Sequence, residues 1–214
     1  MTFISNLQLL FIPLYAEVVM IFKHISEVVV GTHFSQCGRF RYRLTIDRKD
    51  IPKGRVVCAI LQNPSVADSE FADKSVQFLE KLIFLKEYEE FRNVSRIIIV
   101  NQFALVQTKD FEGESDHIGV ENDTFIEQAL DEADIVLIAW GAANPYKKRQ
   151  EAIHDKLLEH TGKKIFKTKA HPSRGTYKDF IERIPSSTDF SSVEVSADAG
   201  IVEKDSSRRS GFEE

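Results

Sequence analysis

Cysteine is almost missing from this chain. Cys37 and Cys58 are the only two among 214 residues. Two thiols cannot build a disulfide framework, a four-cysteine zinc site or a cysteine-ligated iron–sulfur cluster. Cys58 lies inside an apolar run and reads as a small core residue. Such usage suits a reducing cytoplasm, where the protein is expected. Glycine-rich phosphate loops are missing as well, with neither a G-x-G-x-x-G nor a Walker pattern. Methionine occurs only as Met1 and Met20. Met20 begins a more ordinary stretch, so residues 1–19 read as an upstream extension. The most apolar segment, residues 7–22, carries Pro13 and Glu17 and has no Lys or Arg before it. It matches neither a signal peptide nor a membrane span, and no membrane partner is expected.

What is present fits one globular domain, with 43% hydrophobic and 29% charged residues. Net charge is −5, which argues against a polyanion partner. Its distribution argues otherwise. Residues 110–134 hold ten acidic residues and no Lys or Arg, while 38–55 and 163–184 each hold seven basic and two acidic ones. Segregated charge allows a basic face on an acidic protein. Residues 1–34 read as an N-terminal extension partly outside the core, 35–184 as the domain, and 185–214 as a polar tail expected to be disordered.

The apolar pattern predicts alternating elements. "RFRYRLTID" (39–47) alternates arginine with bulky residues, as an exposed or edge strand would. "VVCAILQ" (56–62), "SRIIIVNQ" (95–102), "DIVLIAWG" (134–141) and "KKIFKTK" (163–169) read as four central strands. Helices are predicted from about Phe71 to Glu90, near 121–132, from an N-cap at Asn144 with Pro145 to about His160, and briefly over "TYKDFIERI". Strands without period-two alternation, interleaved with helices, predict a three-layer α/β/α fold around a mainly parallel four-stranded sheet.

Ligands of open α/β sheets bind outside the carboxyl ends of the strands. Here those ends carry Gln62-Asn63-Pro64-Ser65, Asn101-Gln102, Trp140-Gly141 and His171-Pro172-Ser173-Arg174-Gly175. These are neutral donors and acceptors, with one histidine that titrates near neutrality. Such an edge suits a nucleobase better than a metal. Asp68 and Asp73 are the only carboxylates nearby and read as solvated residues, so no metal and no cofactor is expected. Trp140 reads as core.

The four motifs, in this order, resemble those of the uracil-DNA glycosylase superfamily, over about residues 35–184. The chain also resembles domain-of-unknown-function family 1643, with its Asn-Pro-Ser, Ala-Trp-Gly and His-Pro motifs. The resemblance implies that Asn63 positions a water, that His171 donates to a base oxygen, and that Asn101 reads the base edge. Gln62, Ser65, Phe103 and Phe71 would complete the base pocket. Ser173, Arg174, Lys169 and Lys167 would hold the DNA backbone. The classical uracil enzymes have Asp where Asn63 stands, and an amide is no general base, so slower chemistry is implied. They also have Tyr where Ser65 stands, which excludes carbon-5 substituents. The expected function is therefore monofunctional hydrolysis of the N-glycosidic bond of a flipped pyrimidine in DNA. The base would carry a carbon-5 group such as hydroxymethyl or glucosyl, in repair or in defence against modified phage DNA. A non-catalytic nucleic-acid-binding or nucleotide-binding module and a hydrolase of free nucleosides or nucleotides are the alternatives. A monomer is expected.

Overall fold

The apolar runs pair side by side, but in larger company than their pattern predicts. The computed structural model describes residues 21–184. The upstream extension at 1–19 and the tail at 185–214 lie outside the described residues. In chain order the elements are β1 (Phe22–Lys23), β2 (Val28–Phe34), β3 (Arg41–Arg48), β4 (Arg55–Leu61), β5 (Phe71–Ala72), α1 (Lys74–Phe84), β6 (Val94–Asn101), α2 (Asn122–Glu132), β7 (Ile135–Ile138), α3 (Lys147–Glu159), β8 (Lys164–Thr168) and β9 (Ile181–Ile184).

The main sheet has seven strands in the order β2-β3-β6-β4-β7-β8-β9, and β1 and β5 form a separate antiparallel pair. β6, β4, β7 and β8 run parallel. β2 and β3 add an antiparallel edge on one side, and β9 adds another beyond β8. The expected four-stranded sheet is thus corrected to a seven-stranded mixed one. The added strands were hard to see for a physical reason. β2 alternates half-buried and exposed residues, and β9 has only four residues, so neither forms an apolar run. The boundary drawn at residue 35 falls inside this sheet, because β2 pairs with β3 along its whole length.

Other local expectations shift too. The first helix starts at Lys74 because the Asp73 carboxylate accepts the Val76 N–H at 2.8 Å, an N-cap bond. Residues 71–72 are strand instead. Tyr146, and not Asn144, is the N-cap of α3; Asn144 Oδ1 accepts the Tyr146 N–H at 3.2 Å in an Asx turn just before it. "TYKDFIERI" does not become a helix. Its last four residues pair with β8, where the backbone groups of an open strand edge are satisfied at once, whereas a nine-residue helix is marginal alone.

The core lies on both faces of the sheet. One face packs Leu44, Ala59, Leu61 and Ile99 against Leu79, Leu82 and Ile83 of α1. The other packs Cys58, Ile60 and Val100 against Ile126 and Leu130 of α2 and Ile153 and Leu157 of α3. Strand order creates a switch point. From β4 the chain crosses to β6 on one side, then returns to β7 on the other. In open α/β sheets ligands bind at such a point, which here is the carboxyl end of β4. No helix among the described residues is long and apolar enough to cross a membrane.

Candidate functional site

Gln62 and Asn63 follow directly on β4, at that switch point. The carboxyl end of β6 lies alongside, with Leu61 in register with Asn101 and the Phe103 N–H donating to the Gln62 carbonyl at 3.0 Å. On the other side the Ala139 N–H donates to the Ile60 carbonyl at 2.8 Å. Beyond β7, a Cβ placed on Gly141 would come within 2.9 Å of the His171 nitrogen, so the Trp140-Gly141 turn and the His171 loop touch. Gln62, Asn63, Asn101 and His171 therefore share one sheet edge.

The amides at this edge differ sharply in how they are satisfied. Asn63 is tied down: its Nδ2 donates to the Gln107 carbonyl at 2.5 Å, and its Oδ1 accepts from Gln62 Nε2 at 3.3 Å. Gln62 in turn accepts from Asn144 Nδ2 at 3.0 Å, and Asn144 accepts from Gln150 Nε2 at 2.8 Å. Asn101 is the opposite case. It is 1% exposed, and neither its Oδ1 nor its Nδ2 has a partner. The neighbouring Gln102 side chain is also buried without partners. Their backbone carbonyls are held by Asn122 Nδ2 at the start of α2, at 3.0 and 3.2 Å. The backbone is pinned while the side-chain amides are left open.

Ser65 and His171 bring in a carboxylate. The Ser65 hydroxyl donates to Asp73 Oδ2, while Asp73 Oδ1 caps α1. His171 is pushed below the ordinary histidine pKa, chiefly by burial; the charge of Asp73 opposes the shift and Arg174 adds to it. The ring is therefore neutral at pH 7. Its Nδ1 accepts from the Ser173 N–H at 3.3 Å and lies 2.9 Å from the Ser173 hydroxyl, which leaves the ring proton on Nε2.

The remaining candidates lie farther out. Phe103 is buried, edge-to-face with Tyr146 at 5.0 Å and Phe111 at 5.2 Å. It lines a groove of about 520 Å³ on the α3 side with Ile118, Tyr146, Lys147 and Lys148. A second groove of about 520 Å³ sits at the amino ends of the strands, by Arg55, Asn93 and Lys164. Neither includes Asn63, Asn101 or His171. Phe71 is 40% exposed on β5. Lys169 and Arg174 are exposed and Ser173 half-buried, whereas Lys167 pairs with Glu182 across β9 at 3.3 Å.

Two groups escaped the pattern reading. Asp73 passed for a solvated residue, although an Asp just before an amphipathic run marks a helix cap. Arg41 passed for an exposed strand residue but is 2% exposed. Only Glu114, Asp116 and His117 bring three metal-type donors within 4.8 Å among the described residues, and both carboxylates there are exposed. Asp68 Oδ1 accepts the N–H groups of Glu70 and Phe71, as a turn residue does.

Gly141 makes the edge testable. Its φ is +85°, and a Cβ would meet the His171 nitrogen and Cβ at 2.9 and 3.2 Å. Gly141→Ala is expected to lose about 1–2 kcal/mol from the left-handed backbone alone. It should also shift the His171 ring resonances, read by thermal denaturation and imidazole NMR. Unmoved resonances would separate the two loops.

No curated protein and no solved structure matches the chain. A family model described as "Protein of unknown function (DUF1643)" matches residues 41–174, well over half of its length, and the chain belongs to that family.

Proposed function

We propose that this sheet edge holds a nucleobase, and that the chain hydrolyses the N-glycosidic bond of a pyrimidine flipped out of DNA. Asn101 carries the reading. A buried amide without partners costs about 1–3 kcal/mol for each orphaned group. Such a group in a native fold calls for a partner, and a ligand that completes it is the one this reading supplies. A base edge offers the matching acceptor and donor side by side.

The other groups suit the bond to be broken. As C1′–N separates, the sugar becomes cationic and the base takes the bonding pair. A neutral His171, with its proton on Nε2, is a donor for the base oxygen where that charge collects. Water adds its oxygen to C1′ and gives its proton to a carboxylate, and Asp73 is the one bonded into the site through Ser65. Asn63, locked by Gln62 and Gln107, aligns the loop and its carbonyl groups; it is not the proton acceptor. A serine at position 65, in place of a bulkier side chain, would admit a carbon-5 substituent. Lys169 and Arg174 are exposed cations for phosphates near the His171 loop.

The test is base release from oligonucleotides carrying uracil, thymine, 5-hydroxymethyluracil, 5-hydroxymethylcytosine or glucosylated cytosine, read by alkaline cleavage of abasic sites. Release from at least one carbon-5-substituted base is expected. His171→Ala should lower it by about 10²–10³-fold, the usual effect of losing one such donor. Protonation would put a hydrogen on Nδ1 and break its bond from the Ser173 N–H, which holds the ring in place, so release should hold from pH 7 through 6.5 and fall below the depressed pKa of His171. Cleavage of free nucleosides with no action on DNA would replace this reading by a small-molecule hydrolase.

A further inference from the structure

We infer that Arg41 is a second ligand-facing donor of this edge, a buried guanidinium that receives an anionic oxygen. The inference rests on the base-binding reading and adds a residue to it.

Three consecutive side chains of β3 define the geometry. Arg43 faces α2 and pairs with Glu132 at 2.6 Å. Tyr42 also reaches α2, stacked on Phe125 at 5.3 Å. Two neighbours on one side of a strand require an irregularity, and the β2–β3 register breaks between His33 and Phe34, which pair with Arg43 and Arg41. Bulges of this kind re-aim side chains. Arg41 is sent to the opposite face, where its Nη1 donates to the Ala67 carbonyl at 2.6 Å.

That bond gives the side chain its position. β6 lies between β3 and β4, and Ala67 belongs to the loop that follows β4. To reach it, Arg41 must span the carboxyl end of β6, where Asn101 sits with its amide unpartnered. Arg41 Nε has no partner either. The electrostatic pull of Asp73 and Asp68 reaches it, yet no carboxylate bonds to it among the described residues. Asp73 already accepts from Val76 and Ser65, one on each oxygen, and Asp68 Oδ1 from Glu70 and Phe71.

A desolvated cation with no carboxylate bonded to it is expensive to keep, and a structural pin would not need one. A neutral amide or hydroxyl would hold the Ala67 carbonyl at lower cost. What a fork of donors beside an open amide fits is an oxygen bearing negative charge. The departing base supplies one as C1′–N breaks and the electron pair passes to the ring and its carbonyls. A DNA phosphate is the other source.

The experiment compares wild type with Arg41→Met and Arg41→Lys. Free uracil and, separately, inorganic phosphate are titrated while the Arg41 Nε–H resonance and the Tm are followed. In the wild type, one of the two probes should shift the Nε–H signal and raise the Tm. Uracil assigns the oxygen to the base and phosphate assigns it to the backbone. Arg41→Met should fold with a Tm equal to or above wild type, lose that response, and release base roughly 100-fold more slowly. An Nε–H signal that neither probe moves overturns the inference, whatever the variants do. So does a Tm lowered in both variants with the ligand response retained, which would make Arg41 a pin for the 62–73 loop. The two readings separate cleanly. Probe binding through Arg41 with no base release from any DNA leaves this inference standing and removes the hydrolase. Base release at the wild-type rate in Arg41→Met does the reverse.

Discussion

Asp73→Asn is expected to slow base release by about 10²–10⁴-fold while leaving the fold unchanged, the range typical of losing a general base. The substitution is chosen for what it keeps. Asparagine caps helices as well as aspartate does, so the bond to the Val76 N–H survives. With its one amide oxygen on Val76, its Nδ2 faces Ser65 and donates to the hydroxyl, so that contact is kept with reversed polarity. Only the charge and the ability to take a proton are lost. Equal Tm values with a large fall in rate would identify Asp73 as the proton acceptor. A rate within threefold of wild type would return Asp73 to the role of a helix cap. The measurement is single-turnover base release at pH 7, beside thermal melts of both proteins.

The largest structural loss is expected at Glu80. This carboxylate is fully buried on α1 and holds the entering chain by two bonds, from His24 Nδ1 at 2.5 Å and from the Ile25 N–H at 3.1 Å. His24 also reaches the Asp68 carbonyl with Nε2 at 3.0 Å. Removing one partner leaves the other buried and unpaired, so Glu80→Ala should cost about 3–5 kcal/mol, a large part of a domain's stability. Urea denaturation measures it; a loss under 1 kcal/mol would mean the pair is idle.

The same pair gives stability a pH dependence. Burial by itself would lower the His24 pKa, but hydrogen bonding to Glu80 and its charge outweigh that, and the net value lies above the ordinary 6.5. A raised pKa means that the folded state binds the proton more tightly than the unfolded one. The contribution is therefore complete below about pH 6.5 and is lost as pH rises through the raised value. Protection of the β1 amides, taken relative to the intrinsic exchange rate at each pH, should fall across that window in wild type and stay level in Glu80→Gln.

How much of this was legible can be judged residue by residue. Leu61 and Asn101 were readable because an apolar run that stops at an amide is a local event. The alternation at 39–47 misled about Arg41, since an alternating strand is the same string whether its polar face meets water or the end of another strand. Asp73 looked solvated because no local pattern tells that a serine eight residues back will donate to it. β9 looked helical because nine residues carry little periodicity, and an open strand edge far away in sequence settled the matter.

The sequence alone determined where apolar runs begin and end, which neutral groups close them, and the order of those motifs along the chain. Each of these depends only on neighbours within a few residues. Tertiary structure decided the seven-strand order, the switch point at β4, the burial of Arg41 Nε and the Asn101 amide without partners, and the meeting of Ser65 with Asp73. Those outcomes come from pairing between distant segments. Whether a polar side chain is solvated, satisfied or left waiting for a ligand is set by what packs around it, and that is chosen only when the sheet closes.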